Sequence, residues 1–487
     1  MSTQRSIASR TDLTEGPIIS KMIMFALPII AGNIVMQLYN VTDGIVIGQF
    51  VGSDALAAVT VSFPIMMLFN SLFMGLSMGA NILISQYRGA KDHLGMERAV
   101  NSIFSLCLMV GGVITLLGIF LSRQLLHLMS TPDNILDDAA SYLIWIYVGT
   151  IGNTVYNMST GLIRGLGDSR WPLISLIIAA LMNVFLDIFF VAVLHMGVAG
   201  VAIATAIAQG FSGLVLVSRF VRGKYGFRLS LSSMRKVSMH TVGLIFKLGI
   251  PSSIQSVAGS LGMLIVQSFA NLFGSNFIAA NGIIGRVDGF VMMPMMGIGM
   301  AVTTFVGQNI GAGNAHRAKE GAIKSVQITI GLSLLFGVIM YNWGILLLRI
   351  FTDNETVLNI GMRGVRFIAF FFTFMGINNC LGGAIRGAGE AKFPAMTAIL
   401  SNVIRIPTVY LLSVMPLNRD IAHAIAEGLY ATHEAARYAG VGFGHYMGMF
   451  YSMGITMSMG ALLNLLYFLS GKWQTKGVVH RAPSSEP

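Results

Sequence analysis

Charge is what this sequence has least of. Only 10% of its 487 residues are Asp, Glu, Lys or Arg, and the acidic ones number 20. Soluble surfaces ordinarily carry about 25–35% charged residues, so the three soluble domains that the length would allow are excluded. Cysteine is equally scarce. Cys107 and Cys380 both fall within apolar runs, so neither a disulfide framework nor a thiolate metal site is expected. An intramembrane enzyme would need a nucleophile or a metal set, and no HExxH motif or Cys/His cluster occurs. His433-Glu434 begins such a motif, but position 437 is Arg. The first 18 residues are polar, without an apolar stretch and small-residue cleavage site, so no removable signal is expected.

What the chain does have is apolar length. Hydrophobic residues make up 54% and mean hydropathy is +0.73. Twelve runs read as membrane helices: 20–47, 55–86, 98–122, 138–163, 171–194, 197–219, 244–272, 276–307, 318–348, 357–384, 394–416 and 444–470. The fold class is therefore an all-α integral membrane protein. A net charge of +11 could suggest nucleic acid, but its distribution says otherwise. With the N-terminus in the cytosol, most of the 31 Lys and Arg fall on the cytosolic side. The loop 220–243 and its flanks alone hold Arg222, Lys224, Arg228, Arg235 and Lys236. That positive-inside bias places both termini, residues 1–19 and 471–487, in the cytosol of a bacterial-type inner membrane.

The chain repeats itself. Gly52-Ser53 recurs as Gly274-Ser275, Gln86 as Gln308, and Gly89-Ala90 as Gly311-Ala312. Ile163-Arg164-Gly165 with Gly167 and Pro172 recurs as Ile385-Arg386-Gly387 with Gly389 and Pro394. Every pair is 222 residues apart, while Pro28 and Pro251 need a shift of one. The units 20–219 and 244–470 each hold six helices, an even number. They share one orientation and are expected to be related by a pseudo-two-fold axis along the membrane normal. The repeat breaks once, through an external insert at about 417–443. Its alternating charges (Arg419, Asp420, His423, Glu427, His433, Glu434, Arg437) suggest a surface helix over the outer mouth.

The few buried acids carry the chemistry. The stretch 171–219 is two apolar helices around a turn centred near Met196. Asp187 lies nine residues before that centre and Thr205 nine after. At 1.5 Å per residue both are roughly 13 Å deep, near mid-membrane, with Asn183 and Gln209 one turn deeper. Asp43 lies nine residues before Gly52 and so at the same depth, with Asn40 close by on its helix. Two carboxylates, an amide and a hydroxyl at one level form a hard oxygen set suited to Na+, or a proton-sharing pair. Pro28 interrupts hydrogen bonding on the helix that carries Asp43. In the second half Arg405 stands at the position of Asn183 and Val409 at that of Asp187. Arg286, Asp288, Arg405, Gln255, Asn378 and Asn379 remain as possible polar groups of a second cavity, with Arg405 and Asp288 expected to pair.

The six-plus-six repeat, the Arg-Gly-x-Gly-[Asp/Glu]-x3-Pro loops and Asn-x3-Asp on the fifth helix together resemble the multidrug and toxic compound extrusion family, over residues 20 to 472. The resemblance implies V-shaped N- and C-lobes around a central cavity. It also implies export of organic cations or amphiphiles driven by Na+ or H+ entry, with no cofactor beyond the coupling ion. The family's N-lobe cation site carries over to Asp43, Asn183, Asp187 and Thr205, and a bend coupled to occupancy carries over to Pro28. Some members have a second carboxylate cluster on helices seven and ten, which here offer no mid-helix acid. The runs Met66-Met67 and Met292-Met293 with Met295-Met296 would face the cavity and accept ligands of varied shape. The expected partners are small amphiphilic or cationic substrates and membrane lipid, with no nucleic acid, and the expected unit is a monomer. A lipid-linked oligosaccharide flippase shares the plan, but its anionic substrate would call for more cavity cations than Arg286 and Arg405.

Overall fold

The computed structural model describes residues 12–129, 131–229, 237–427, 429–433, 435 and 440–479. All regular structure among them is helical. The first half of the chain holds α1 (Ile18–Phe50), α2 (Ser53–Ala90), α3 (His93–Leu128), α4 (Asp133–Val148), α5 (Thr150–Gly165), α6 (Arg170–Asp187) and α7 (Gly197–Val221). The second holds α8 (Met239–Ala270), α9 (Gly274–Gly311), α10 (Ala315–Arg349), α11 (Glu355–Ala369), α12 (Phe372–Gly387), α13 (Lys392–Val409), α14 (Met415–Ala426) and α15 (Met447–Leu469).

Among the described residues, nine helical runs are long and apolar enough to cross a membrane, or ten if the bent pair α11–α12 is one span. This is fewer than the twelve runs expected, and the division differs in two places. One run, Met239–Gly311, contains both α8 and α9. A further stretch is split at Gly149 into α4 and α5 of 16 residues each. The pair α11–α12 bends by 49° at the equivalent place. Large apolar side chains such as Phe120, Leu181, Phe185 and Met239 point outward. In water so much exposed apolar surface would drive association, whereas lipid tolerates it.

Local chemistry repeats along with the sequence. Asp92 caps α3 by accepting from Gly95 N at 2.8 Å, and Asn314 caps α10 by accepting from Arg317 N at 3.0 Å. These oxygens satisfy donors left unpaired at a helix start. Gly167 and Gly389 turn the chain after α5 and α12 with φ of 88° and 102°, a left-handed conformation that a side chain disfavours. After Asp187 and after Val409 the helix loosens into π-helical turns, Ile188–Val193 and Tyr410–Val414. Apolar periodicity gave no sign of these bulges.

The halves pack on each other through α1, α2, α8 and α9. Helix α8 lies along α2, α2 along α9, and α1 along α9 and α6. Glycines make this approach close. A Cβ on Gly79 would stand 2.7 Å from Ile245 O, and one on Gly311 2.1 Å from Gln86 O.

The insert opens as a helix with Arg419, His423 and Glu427 exposed, as its charge spacing suggested. Its first part, α14, runs straight on from the π-turns after α13, with Leu417, Ile421 and Ala424 buried. Apolar residues at i, i+4 and i+7 seat one face of α14 on the core of the second half. Asp420 meets His445 at 2.8 Å. His433 is described, but Glu434 and Arg437 lie outside the described residues.

Candidate functional site

Three helices of the first half bring the mid-depth polar residues together. Asn183 and Asp187 are one turn apart on α6 and fully buried. Tyr39 and Asp43 are one turn apart on α1, which packs against α6. Thr205 comes from α7, which packs against α6 and also touches α1. The side chain of Asn40 lies outside the described residues.

One amide ties the acids. With its nitrogen oriented toward its acceptor neighbours, Asn183 Nδ2 donates to Asp43 Oδ1 at 2.8 Å and to Asp187 Oδ2 at 3.0 Å. Sharing that nitrogen, the two bonded carboxyl oxygens are less than about 6 Å apart. Two oxygens that close call for a proton or a cation between them. On the other side of the amide, Thr205 Oγ1 lies 3.5 Å from Asn183 and accepts from Tyr39 Oη at 3.2 Å. Asp187 Oδ1 is buried without a partner. The result is a connected chain, Tyr39–Thr205–Asn183–Asp43/Asp187, that can hold one small positive charge. Sequence reading missed Tyr39; its spacing four before Asp43 on one helix was the available signal.

A narrow cleft of about 40 Å³ adjoins this chain, lined by Thr205, Gln209, Met66, Phe69, Asn70 and Asn153 among others. Asn153 Nδ2 donates to Asn70 Oδ1 at 3.0 Å across it. Drug-sized sites run to about 300–1,000 Å³, so this cleft as it stands is too tight for such a ligand. Gln209 thus lines the cleft rather than the acid pair. Of the methionines, Met66 lines it, while Met295 is buried in the core and Met292 packs on it. Helix α1 runs unbroken through Pro28.

Among the described residues, the second half assembles no counterpart. Val409 is buried in an apolar cluster at the position of Asp187. The pairing expected of Arg405 and Asp288 does not form: Asp288 Oδ1 and Arg405 Nε have no partner, and α9 and α13 are not closely packed neighbours. Arg286 is exposed, its guanidinium 5.5 Å from the Phe351 ring. Gln255 Oε1 instead meets Arg386 at 3.5 Å, Asn378 accepts from Asn464 at 2.6 Å, and Asn379 donates to Met375 O of its own helix at 3.1 Å. Cys380 Sγ lies 2.9 Å from Thr329 Oγ1.

No group of three or more His, Cys, Asp or Glu able to hold a metal occurs among the described residues. The string Gly75-Leu76-Ser77-Met78-Gly79 has the spacing of a hydrolase nucleophile elbow. It lies inside α2, and Ser77 Oγ donates to Asn157 O at 2.6 Å. The strand-to-helix turn that exposes such a serine is missing.

Known proteins share the sequence pattern and the fold. The MatE family model matches residues 28–189 and again 251–411. Probable multidrug resistance protein YpnP of Bacillus subtilis is 31% identical over 403 residues, covering 82% of this chain and 90% of that protein. Probable multidrug resistance protein NorM of Thermotoga maritima is 27% identical over 473 residues, covering 95% and 94%. Among solved structures, a MOP superfamily transporter from Pyrococcus furiosus superposes with a TM-score of 0.82 at 21% identity, covering 95% of this chain and 98% of that one. An outward-facing multidrug resistance MATE family transporter gives 0.81 at 22%, with the same coverage. The double match and the shared helical plan make this chain an integral membrane protein of the multidrug and toxic compound extrusion (MatE) family, whose similar members are named as probable multidrug resistance and multidrug export proteins.

Proposed function

We propose that the chain is a cation-coupled antiporter that exports organic cations and amphiphilic drugs across the cytoplasmic membrane, driven by H+ or Na+ entry. In this reading there are twelve spans. The N-lobe comprises α1, α2, α3, α4–α5, α6 and α7, and the C-lobe α8, α9, α10, α11–α12, α13 and α15. The lobes are related by a pseudo-two-fold axis along the membrane normal, and both termini are cytosolic. A single chain holds the whole site, so a monomer suffices.

The observation that carries the reading is the Asp43–Asp187 pair held on one amide of Asn183. Entry of a cation removes the repulsion between the acids, so occupancy follows the external gradient. With the Asn183 nitrogen turned toward the carboxylates, the arrangement suits a shared proton. Na+ would want the amide oxygen turned inward, alongside both carboxylates and the Thr205 hydroxyl. Thr205 belongs to both the cation chain and the cleft. A drug entering once the cleft has widened therefore meets the group that reports on the acid pair, which gives the differential contact that antiport requires. The proline of α1 supplies a point at which that helix can bend as occupancy changes.

The test is ethidium efflux from proteoliposomes under an imposed pH gradient or an imposed Na+ gradient. Efflux should rise with one gradient and vanish when it is collapsed. Equal efflux with neither gradient would refute antiport.

A further inference from the structure

The most heavily bonded contact between the halves lies at the opposite end from the acids' outer loop and makes no use of them. Gln86 on α2 and Gln308 on α9 are 222 residues apart and both fully buried. Gln86 Nε2 donates to Gly387 O at 3.1 Å, and Gln308 Nε2 donates to Gly165 O at 3.0 Å. Those carbonyls, at the ends of α12 and α5, are also 222 apart. Each glutamine therefore reaches from its own half to the last turn of a helix in the other.

The amide oxygens complete the pattern. Gln308 Oε1 accepts from Leu13 N at 3.0 Å, just before α1. Gln86 Oε1 accepts from Val478 N at 2.8 Å and Val479 N at 3.2 Å, beyond α15. The leading segment of the chain is thus pinned to the second half, and its trailing segment to the first. Asn309 Nδ2 and Arg317 Nη2 hold the carbonyl of Leu13 at 3.2 and 3.5 Å, and Arg317 also holds that of Gly16 at 2.8 Å. Leu13 and Trp473 are buried. Gly389, at φ 102°, would place a Cβ 2.4 Å from Lys476 O. Beside the glutamines, Thr304 Oγ1 donates to Asn81 Oδ1 at 3.2 Å between the halves.

We propose that Gln86 and Gln308 form a two-fold latch that closes the cytosolic end, with residues 12–16 and 476–479 as straps, and that it must release before the cavity opens to the cytosol. Glutamine suits the task because one amide gives and takes at once. Each latch releases as a unit: separating the halves frees a carbonyl, an amide and a strap N–H together. Water enters as they part, so the bonds can be exchanged for solvation, whereas burial without partners would be unfavourable. The straps cross between halves in opposite directions, so both resist the same motion. The inference rests on the antiporter reading in taking the termini to face the cytosol and the halves to move relative to each other.

The experiment uses the full chain in lipid nanodiscs with Cys107→Ser and Cys380→Ser, spin-labelled at Arg170→Cys and Lys392→Cys. These two positions are exposed, 222 apart, and start α6 and α13. Pulsed dipolar spectroscopy should give one short distance in the parent. Gln86→Leu or Gln308→Leu should raise the long-distance fraction relative to the short by about tenfold, and the double variant by more. As a second perturbation that leaves the helices untouched, removing residues 1–16 or residues 478–487 should match the corresponding single glutamine variant. Unchanged distances in the monodisperse double variant, or in both truncations, would overturn the latch. Gradient-independent efflux by the parent would overturn the antiporter reading while leaving the distance shift standing, so the two fail separately.

Discussion

Replacing Asp187 by Asn should separate transport from its driving gradient. Asn183 Nδ2 is 2.8 Å from Asp43 Oδ1 and 3.0 Å from Asp187 Oδ2, so these oxygens are less than about 6 Å apart. Two unit charges about 5 Å apart at an effective dielectric of about 20 repel by about 3 kcal/mol, a bias of roughly 150-fold against the doubly ionised pair. That repulsion is what an entering cation relieves. An amide carries no charge, so in Asp187→Asn the relief is gone and occupancy no longer follows the gradient. The substitution keeps the side chain's size. Asp187 Oδ1 makes no hydrogen bond that would be lost, so insertion and folding should match wild type. The assay is export of a fluorescent cation from proteoliposomes under a proton or Na+ gradient. The gradient-dependent rate should fall by about 100-fold, in line with the lost repulsion. Asp43→Asn should behave alike, and the double variant should be no worse than either single, because the acids act as one unit. If Asp187→Asn exports at the wild-type rate, the pair is structural and the coupling argument fails.

Four further outcomes follow from burial. Val409→Asp places a lone carboxylate in an apolar cluster; it should lower the unfolding midpoint and confer no gradient dependence on an Asp187→Asn background, and restored coupling would contradict this. Deleting residues 431–439 should leave efflux near wild type, since Leu417, Ile421, Ala424 and Tyr430, which seat the insert on the core, are all kept. Ile421→Ala, by contrast, should destabilise by about 2–4 kcal/mol in denaturation experiments. Cys107→Ser with Cys380→Ser should retain ethidium efflux, because serine can keep the contact of Cys380 with Thr329; an inactive but normally inserted double variant would refute it.

The sequence by itself determined the class and the depth of the chemistry. Long uncharged runs can only be helices in lipid, where every backbone group must bond within its own segment. A rise of 1.5 Å per residue then fixes which residues share a level, so Asp43, Asp187 and Thr205 were legible as one set. Identical spacing made the repeat visible as far as Pro394, and the family with it. Tertiary structure decided everything that depends on azimuth and on contact between distant segments. Depth does not say which way a side chain points. Hence Arg405 and Asp288, at plausible levels, stay apart, whereas Tyr39 joins the acids through Thr205. The π-turns after Asp187 and Val409 are invisible to apolar periodicity because they change hydrogen-bond register, not composition. Gln86 and Gln308 were readable as a repeat, but their partners lie up to 393 residues away. Only the packing of α2 on α9, set by Gly89 and Gly311, brings those amides to the carbonyls and straps they hold.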